Sequence, residues 1–246
     1  MKARALLLSL LALAGLLTCD LHAEEEARIL FIGNSYTNGM RGTFTEMTRQ
    51  LKGDKVKLEF ITKGGWTLRK HFEQAATIAK IKDGKWTHVV LQEQSQAPAL
   101  GGQYEAAFHN AVKELANVIK ASGAEPVLYM TWGRRDGDKR NARVIPTFEK
   151  MQNRLTAAYK KAANDNGCTL VPVGEVWAAV RKADPTLGKA LYNRDGSHPA
   201  AKGAFLISST FAKVLFETPT KEIGLRKGVT DEEATAILKA VDEICK

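Results

Sequence analysis

From residue 28 onward the chain alternates two hydrophobic rhythms. Short apolar runs such as Ile29-Leu30-Phe31-Ile32 and Val89-Val90-Leu91 read as strands buried on both faces. Between them lie longer stretches with apolar residues three and four apart. The clearest, 104–121, sets Phe108, Ala111, Val112, Leu115 and Ile119 on one face and stops at Ser122-Gly123. In order, the pattern predicts strands at 28–33, 56–61, 87–92, 126–131 and 169–173. Helices are predicted at 43–51, 67–81, 104–121, 145–164, 175–182, 200–216 and 230–244. The last opens on Thr230-Asp231-Glu232-Glu233, a sequence with capping-box spacing.

Five short apolar strands separated by helices imply a parallel sheet covered on both faces. Right-handed crossovers then favour a three-layer α/β/α sandwich of flavodoxin-like kind. With 246 residues, 44% hydrophobic and 26% charged, and no linker, repeat or low-complexity stretch, residues 24–246 read as one domain with a substantial core. Ligands in such sheets bind beyond the carboxyl ends of the strands, near the switch in strand order. Chemistry is therefore expected just after strands 1, 2, 3 and 5.

The first 23 residues read as an export signal. Lys2 and Arg4 precede an apolar run from Ala5 to Leu17, too short for a comfortable membrane span, and Ala23 before Glu24-Glu25-Glu26 suits cleavage. Cys19 raises lipid anchoring, but Thr18 before it is bulkier than a lipobox residue, so a cleaved leader is preferred. No later segment reads as transmembrane. Cleavage lowers the net charge from +9 to +8. Arg134, Arg135, Lys139, Arg140 and Arg143 form a local basic cluster, with Asp136 and Asp138 interspersed. It reads either as a site for an acidic partner or as a solvated loop. No nucleic-acid motif accompanies it. Cys168 and Cys245 stand outside any CxxC pair, so neither a metal nor a cofactor is called for, and a disulfide between them stays open.

Strand 1 runs into Gly33-Asn34-Ser35-Tyr36-Thr37-Asn38-Gly39. A serine there can cap the following helix, or it can attack a carbonyl while exposed N–H groups receive the negative charge. No phosphate-binding GxGxxG or P-loop is present, and Thr37 removes a GxSxG elbow. As an attacking group the serine needs a base. His71 and His109 lie in predicted helices with ordinary surface or boundary roles, and His88 opens strand 3 at the far end of the sheet. His198 sits in the turn Asp195-Gly196-Ser197-His198-Pro199, where Asp195 can fold back to Nδ1 and leave Nε2 for the serine.

Ser35 after the first strand with Asp195 and His198 before a late helix resembles the SGNH (GDSL-like) hydrolase superfamily. The resemblance rests on residues 29–39 and 192–203, with 64–68 and 91–98 in supporting places. It implies Ser35 as nucleophile, His198 as base and Asp195 as its orienting acid. It also implies oxyanion donors from the N–H of Ser35, from Gly65 (or Gly64), and from a Gln94 amide where the family carries Asn, with Gln92 as the rival. Asn34 and Tyr36 replace the usual Asp and Leu around the serine, so the chain looks like a divergent secreted branch. Tyr36, Trp66 and Trp132 follow strand ends and suit either stacking on a sugar or packing. The implied activity is hydrolysis of a short acyl ester on a carbohydrate. Transfer of the acyl group to a sugar hydroxyl, or glycan binding without turnover, are the competing readings.

Overall fold

The computed structural model describes residues 27–246; the leader, its cleavage point and Cys19 lie outside them. The strands are β1 (Ala27–Gly33), β2 (Val56–Thr62), β3 (His88–Leu91), β4 (Glu125–Tyr129) and β5 (Thr169–Val171). All pair in parallel in the order β2-β1-β3-β4-β5, with Gly33 opposite Thr62 and Ile32 opposite Leu91. The helices are α1 (Ser35–Lys52), α2 (Leu68–Phe72), α3 (Ala75–Asp83), α4 (Ala97–Leu100), α5 (Gly102–Ala121) and α6 (Phe148–Asn166). They continue as α7 (Val173–Ala183), α8 (Pro185–Ala190), α9 (Ala201–Phe216) and α10 (Asp231–Ile244).

Strand alternation builds two cores. Ile29, Phe31, Val127 and Tyr129 face α1, α7, α9 and α10, whereas Leu30, Ile32, Val89 and Leu91 face α2, α3, α5 and α6. The chain leaves β1 toward one edge through α1 and returns past it to β3 over the opposite face. Right-handed crossovers force that change of face wherever strand order reverses. The reversal opens a crevice at the carboxyl ends of β1 and β3, where a flavodoxin-like sheet places ligands. The predicted three-layer sandwich is the fold observed.

Besides the short α4, which the hydrophobic pattern does not predict, three departures from that pattern stand out. Helix α1 begins at Ser35 rather than residue 43, because Asn34 caps it: its side chain accepts the N–H of Tyr36. The predicted helix 67–81 is two helices. His71 Nε2–H donates to the Gly33 carbonyl at 2.9 Å, and the Leu68 N–H is held by Glu93. These anchors hold α2 at the strand ends, and the chain turns at Glu73-Gln74 before α3 brings Ile81 to the core. His71 is thus fully buried, not a surface or boundary residue. Finally, Pro185 opens α8, unforeseen in the pattern, with Asp184 accepting the N–H groups of Thr186 and Leu187. The thiols of Cys168 and Cys245 are both free, and they pack in opposite cores. Among the described residues no helix is long and apolar enough to cross a membrane.

Candidate active site

Ser35 is the first residue of α1, directly past the β1 carboxyl end. Its presentation depends on Gly33, where a Cβ would lie 2.4 Å from Thr37 Oγ1 and 2.6 Å from Gln92 Oε1. The bare glycine lets a buried Gln92 amide close over the helix start. Its oxygen accepts from the Asn34 N–H (2.9 Å), the Thr37 hydroxyl (2.8 Å) and the Thr37 N–H (3.3 Å). With Tyr36 and Thr37 N–H groups so occupied, the Ser35 N–H has no partner among the described residues. Capping, the competing use for Ser35, is performed by Asn34.

The histidine reaches Ser35 on a tightly tied loop. Asn193 N–H donates to the His198 carbonyl at 2.9 Å, and Ala200 N–H to the Leu191 carbonyl at 2.9 Å. Asp195 accepts the N–H groups of Ser197 (2.9 Å) and His198 (3.0 Å) through Oδ1, while Oδ2 stands 2.5 Å from His198 Nδ1. His198 Nε2 is 2.8 Å from Ser35 Oγ. The network sets the tautomer: Nδ1–H donates to Asp195, so Nε2 accepts the serine proton. Partial burial raises the Asp195 carboxyl, but the bonds from the His198 ring and the two N–H groups outweigh it and hold it below the usual range. Helix α1 comes close enough because of Gly39, where a Cβ would sit 2.8 Å from Pro199 Cγ.

Two of the three proposed stacking aromatics lie inside the protein. Tyr36, Trp132 and Trp177 form a buried pile, with ring centroids 4.6 and 4.2 Å apart and planes within 7° and 3° of parallel. Trp132 is fully buried and Tyr36 is 2% exposed, so neither offers a face to a sugar. They support the histidine loop instead. Trp132 Nε1–H donates to the Ser197 carbonyl at 3.0 Å, and the Tyr36 hydroxyl bonds Ser197 Oγ at 2.6 Å. Sequence reasoning assigned no role to Ser197, although its place beside His198 was the available signal. Trp66 is half-buried, with its ring 5.1 Å from that of His71.

The oxyanion candidates separate in the same way. Gly65 has a φ of 68°, and space opens where a Cβ would stand; Gly64 shows the same open space. Asn34 Nδ2 donates to the Trp66 carbonyl at 3.1 Å, tying this loop to the Ser35 helix. Gln92 is fully buried, with its oxygen on the start of α1 and one Nε2–H given to the Glu93 carbonyl, whereas Gln94 is partly exposed. Gln94 folds onto its own loop: Oε1 accepts from Gln96 N–H (2.8 Å) and Ala97 N–H (3.0 Å), and Nε2 donates to Gln96 Oε1 (3.1 Å). That leaves one amide hydrogen of Gln94 for the site.

A cleft of about 570 Å³ opens beside Asp195 and His198, walled by residues 134–140. Arg135 pairs with Asp136 at 2.9 Å and Arg134 with Asp138 at 3.4 Å, whereas Lys139 and Arg140 stand exposed at the rim. The basic cluster therefore borders the candidate site. His88 lies at the other end of the sheet, beside Glu125, as its place at the start of strand 3 predicted.

A parallel five-stranded sheet with serine, histidine and aspartate hydrogen-bonded in series beyond its carboxyl ends defines a recognisable class of α/β/α protein. No protein-family model matches the chain, and no curated protein matches it. Solved structures do. A protein from Slackia heliotrinireducens described as an SGNH hydrolase is 30% identical, with a TM-score of 0.65, over 77% of this chain and 98% of its own. A DUF4886 family protein from Bacteroides uniformis shares the fold at a TM-score of 0.74 and 18% identity, over 88% of this chain and 93% of that one. An acetyl xylan esterase superposes with a TM-score of 0.56 at 16% identity, over 75% and 97%. The chain belongs to the SGNH (GDSL-like) hydrolase superfamily.

Proposed function

We propose that the protein hydrolyses a carboxylic ester, a short acyl group such as acetate carried on a carbohydrate. The observation that carries this reading is the unbroken series from Ser35 Oγ through His198 to Asp195, with links of 2.8 and 2.5 Å. Ser35 Oγ attacks the acyl carbon as its proton passes to His198 Nε2, and Asp195 stabilises the imidazolium. The N–H groups of Ser35 and Gly65, with the remaining Gln94 amide hydrogen, receive the oxyanion. The intermediate expels the alcohol, which takes its proton from His198. Water then attacks the acyl-enzyme with His198 again as base, releasing the acid and restoring the serine. These steps balance with the chain's own residues.

The acetyl xylan esterase among the structural neighbours and the cleft beside His198, wide enough for a sugar, support a carbohydrate ester. Trp66 is the aromatic still placed to meet it. Purified protein is expected to hydrolyse p-nitrophenyl acetate and to release acetate from acetylated polysaccharides. Ser35→Ala should abolish both, and activity surviving that substitution would falsify the reading. The leader at 1–23 further supports an exported enzyme, and a mature N-terminus at Glu24 is the expected result of sequencing the native protein.

A further inference from the structure

Glu93, immediately past β3, is 1% exposed. Its two oxygens accept the Leu68 N–H at 3.3 and 3.2 Å, and Oε1 also accepts the Gln94 N–H at 2.6 Å. Leu68 opens α2 directly after the loop that carries Gly65. Gln94 opens the loop that follows β3 at the same end of the sheet. One carboxylate thus bridges the two backbone segments that supply the second and third oxyanion donors.

We propose that Glu93 is a positioning residue that sets the spacing of the Gly65 and Gln94 donors and does so in its ionised form. The inference rests on the esterase reading above. The carboxylate is the right group for the joint, because it alone among side chains accepts several N–H groups and donates none. Once protonated it gives up Oε2 as an acceptor and loses its negative charge, so the Leu68 and Gln94 N–H groups fall back on a neutral Oε1 and are held more weakly.

Its surroundings make that proton matter near neutrality. Burial pushes the Glu93 carboxyl up to about 7, against the opposing pull of the Gln94 and Leu68 N–H groups. From α6, the Tyr159 hydroxyl accepts the Glu93 N–H at 3.4 Å, and burial raises its own pKa. From α2, burial lowers the pKa of His71, while the Arg69 cation is directed to Glu114 at 2.8 Å. No cation or second carboxylate contributes to the shift.

The linkage has a definite sign. An acid whose folded pKa is raised binds its proton more tightly in the native state. The stability it contributes is present at acid pH and is lost as pH rises from the ordinary carboxylate range through about 7. Above 7 the charge is therefore a liability to the fold. Replacing it by a neutral amide should affect stability and catalysis in opposite directions.

The test compares wild type with Glu93→Gln, using p-nitrophenyl acetate from pH 5 to 9. In wild type the acid limb of kcat is expected to contain a component that follows the Glu93 proton near 7. In Glu93→Gln that component should vanish and the limb become shallower, with kcat at pH 8 reduced about tenfold or more and KM within about threefold. Its Tm relative to wild type should rise between pH 5 and pH 8. A variant with unchanged kcat and limb, or one losing Tm, kcat and KM together at pH 8, would overturn the proposal. Should the variant not fold, wild type decides. Carbon-13 NMR of glutamate-labelled protein must show one side chain titrating near 7, with kcat falling over the same pH range. Absence of either overturns the role of Glu93. Loss of the esterase reading itself is signalled separately, by activity in Ser35→Ala.

Discussion

At the scale of single residues, the geometry separates groups that face the substrate from groups that hold them. Asp195 is half exposed and, among the described residues, hydrogen-bonds only within its own turn and to the His198 ring. Asp195→Asn should therefore leave Tm nearly unchanged while kcat falls about 10³- to 10⁴-fold, since an amide favours the wrong tautomer. Steady-state kinetics beside a thermal melt checks both halves. Gln92 is the converse case. Gln92→Leu removes the acceptor of two N–H groups and a hydroxyl at the start of α1 and leaves them buried. It should cost about 2–4 kcal/mol in urea unfolding, with activity lost through Ser35. Both residues could be seen in the sequence, but only one could be read there. The Asp195–His198 spacing is local and announces itself. Gln92 partners residues more than fifty positions away, so its part in the site follows only from the pairing of β1 with β3.

Among the elements, the contact of α1 with the His198 loop decides whether the site assembles. Gly39→Ala sets a methyl against Pro199, an overpacking of about 1–3 kcal/mol. Because the strain falls between Ser35 and His198, kcat should drop more than stability alone explains, measured at a temperature where the variant is folded. Thr230→Ala provides the contrast. Thr230, exposed at the start of α10, forms a capping box with Glu233, whose carboxylate also pairs with Lys202 of α9. Its loss should cost about 1 kcal/mol and leave kcat and KM unchanged. The capping box was legible because all its information lies within four residues. The break between α2 and α3 was not, since residues 67–81 carry one helical periodicity and the interruption is imposed by Gly33 and Glu93 from elsewhere in the chain.

For the whole molecule, charge is the property with a consequence. The chain carries +9 overall, and the basic loop borders the cleft beside His198 with Lys139 and Arg140 at its rim. An acetylated polysaccharide bearing carboxylates should accordingly show kcat/KM falling several-fold between low salt and about 0.5 M NaCl, as screening shortens the reach of the rim charges. A neutral acetyl ester should be nearly insensitive. Equal salt dependence for the two substrates would remove the loop from substrate binding and leave it a solvated surface.

The sequence by itself determined the layered fold and, by pairing the Ser35 segment with the Asp195–His198 turn, pointed to three residues that the structure brings into hydrogen-bonding distance. Strand runs, helical periodicity and a hydrogen-bonding turn are short-range patterns, and each survives being read one window at a time. Tertiary structure decided the rest. It placed Tyr36 and Trp132 in a buried pile rather than against a sugar, passed the helix cap from Ser35 to Asn34, and spent Gln92 on the backbone of α1. It also brought Leu68 and Gln94 onto one carboxylate. Burial and hydrogen-bond satisfaction belong to the packed chain, so residues of one type can be substrate ligand, pillar or joint until the sheet order says which.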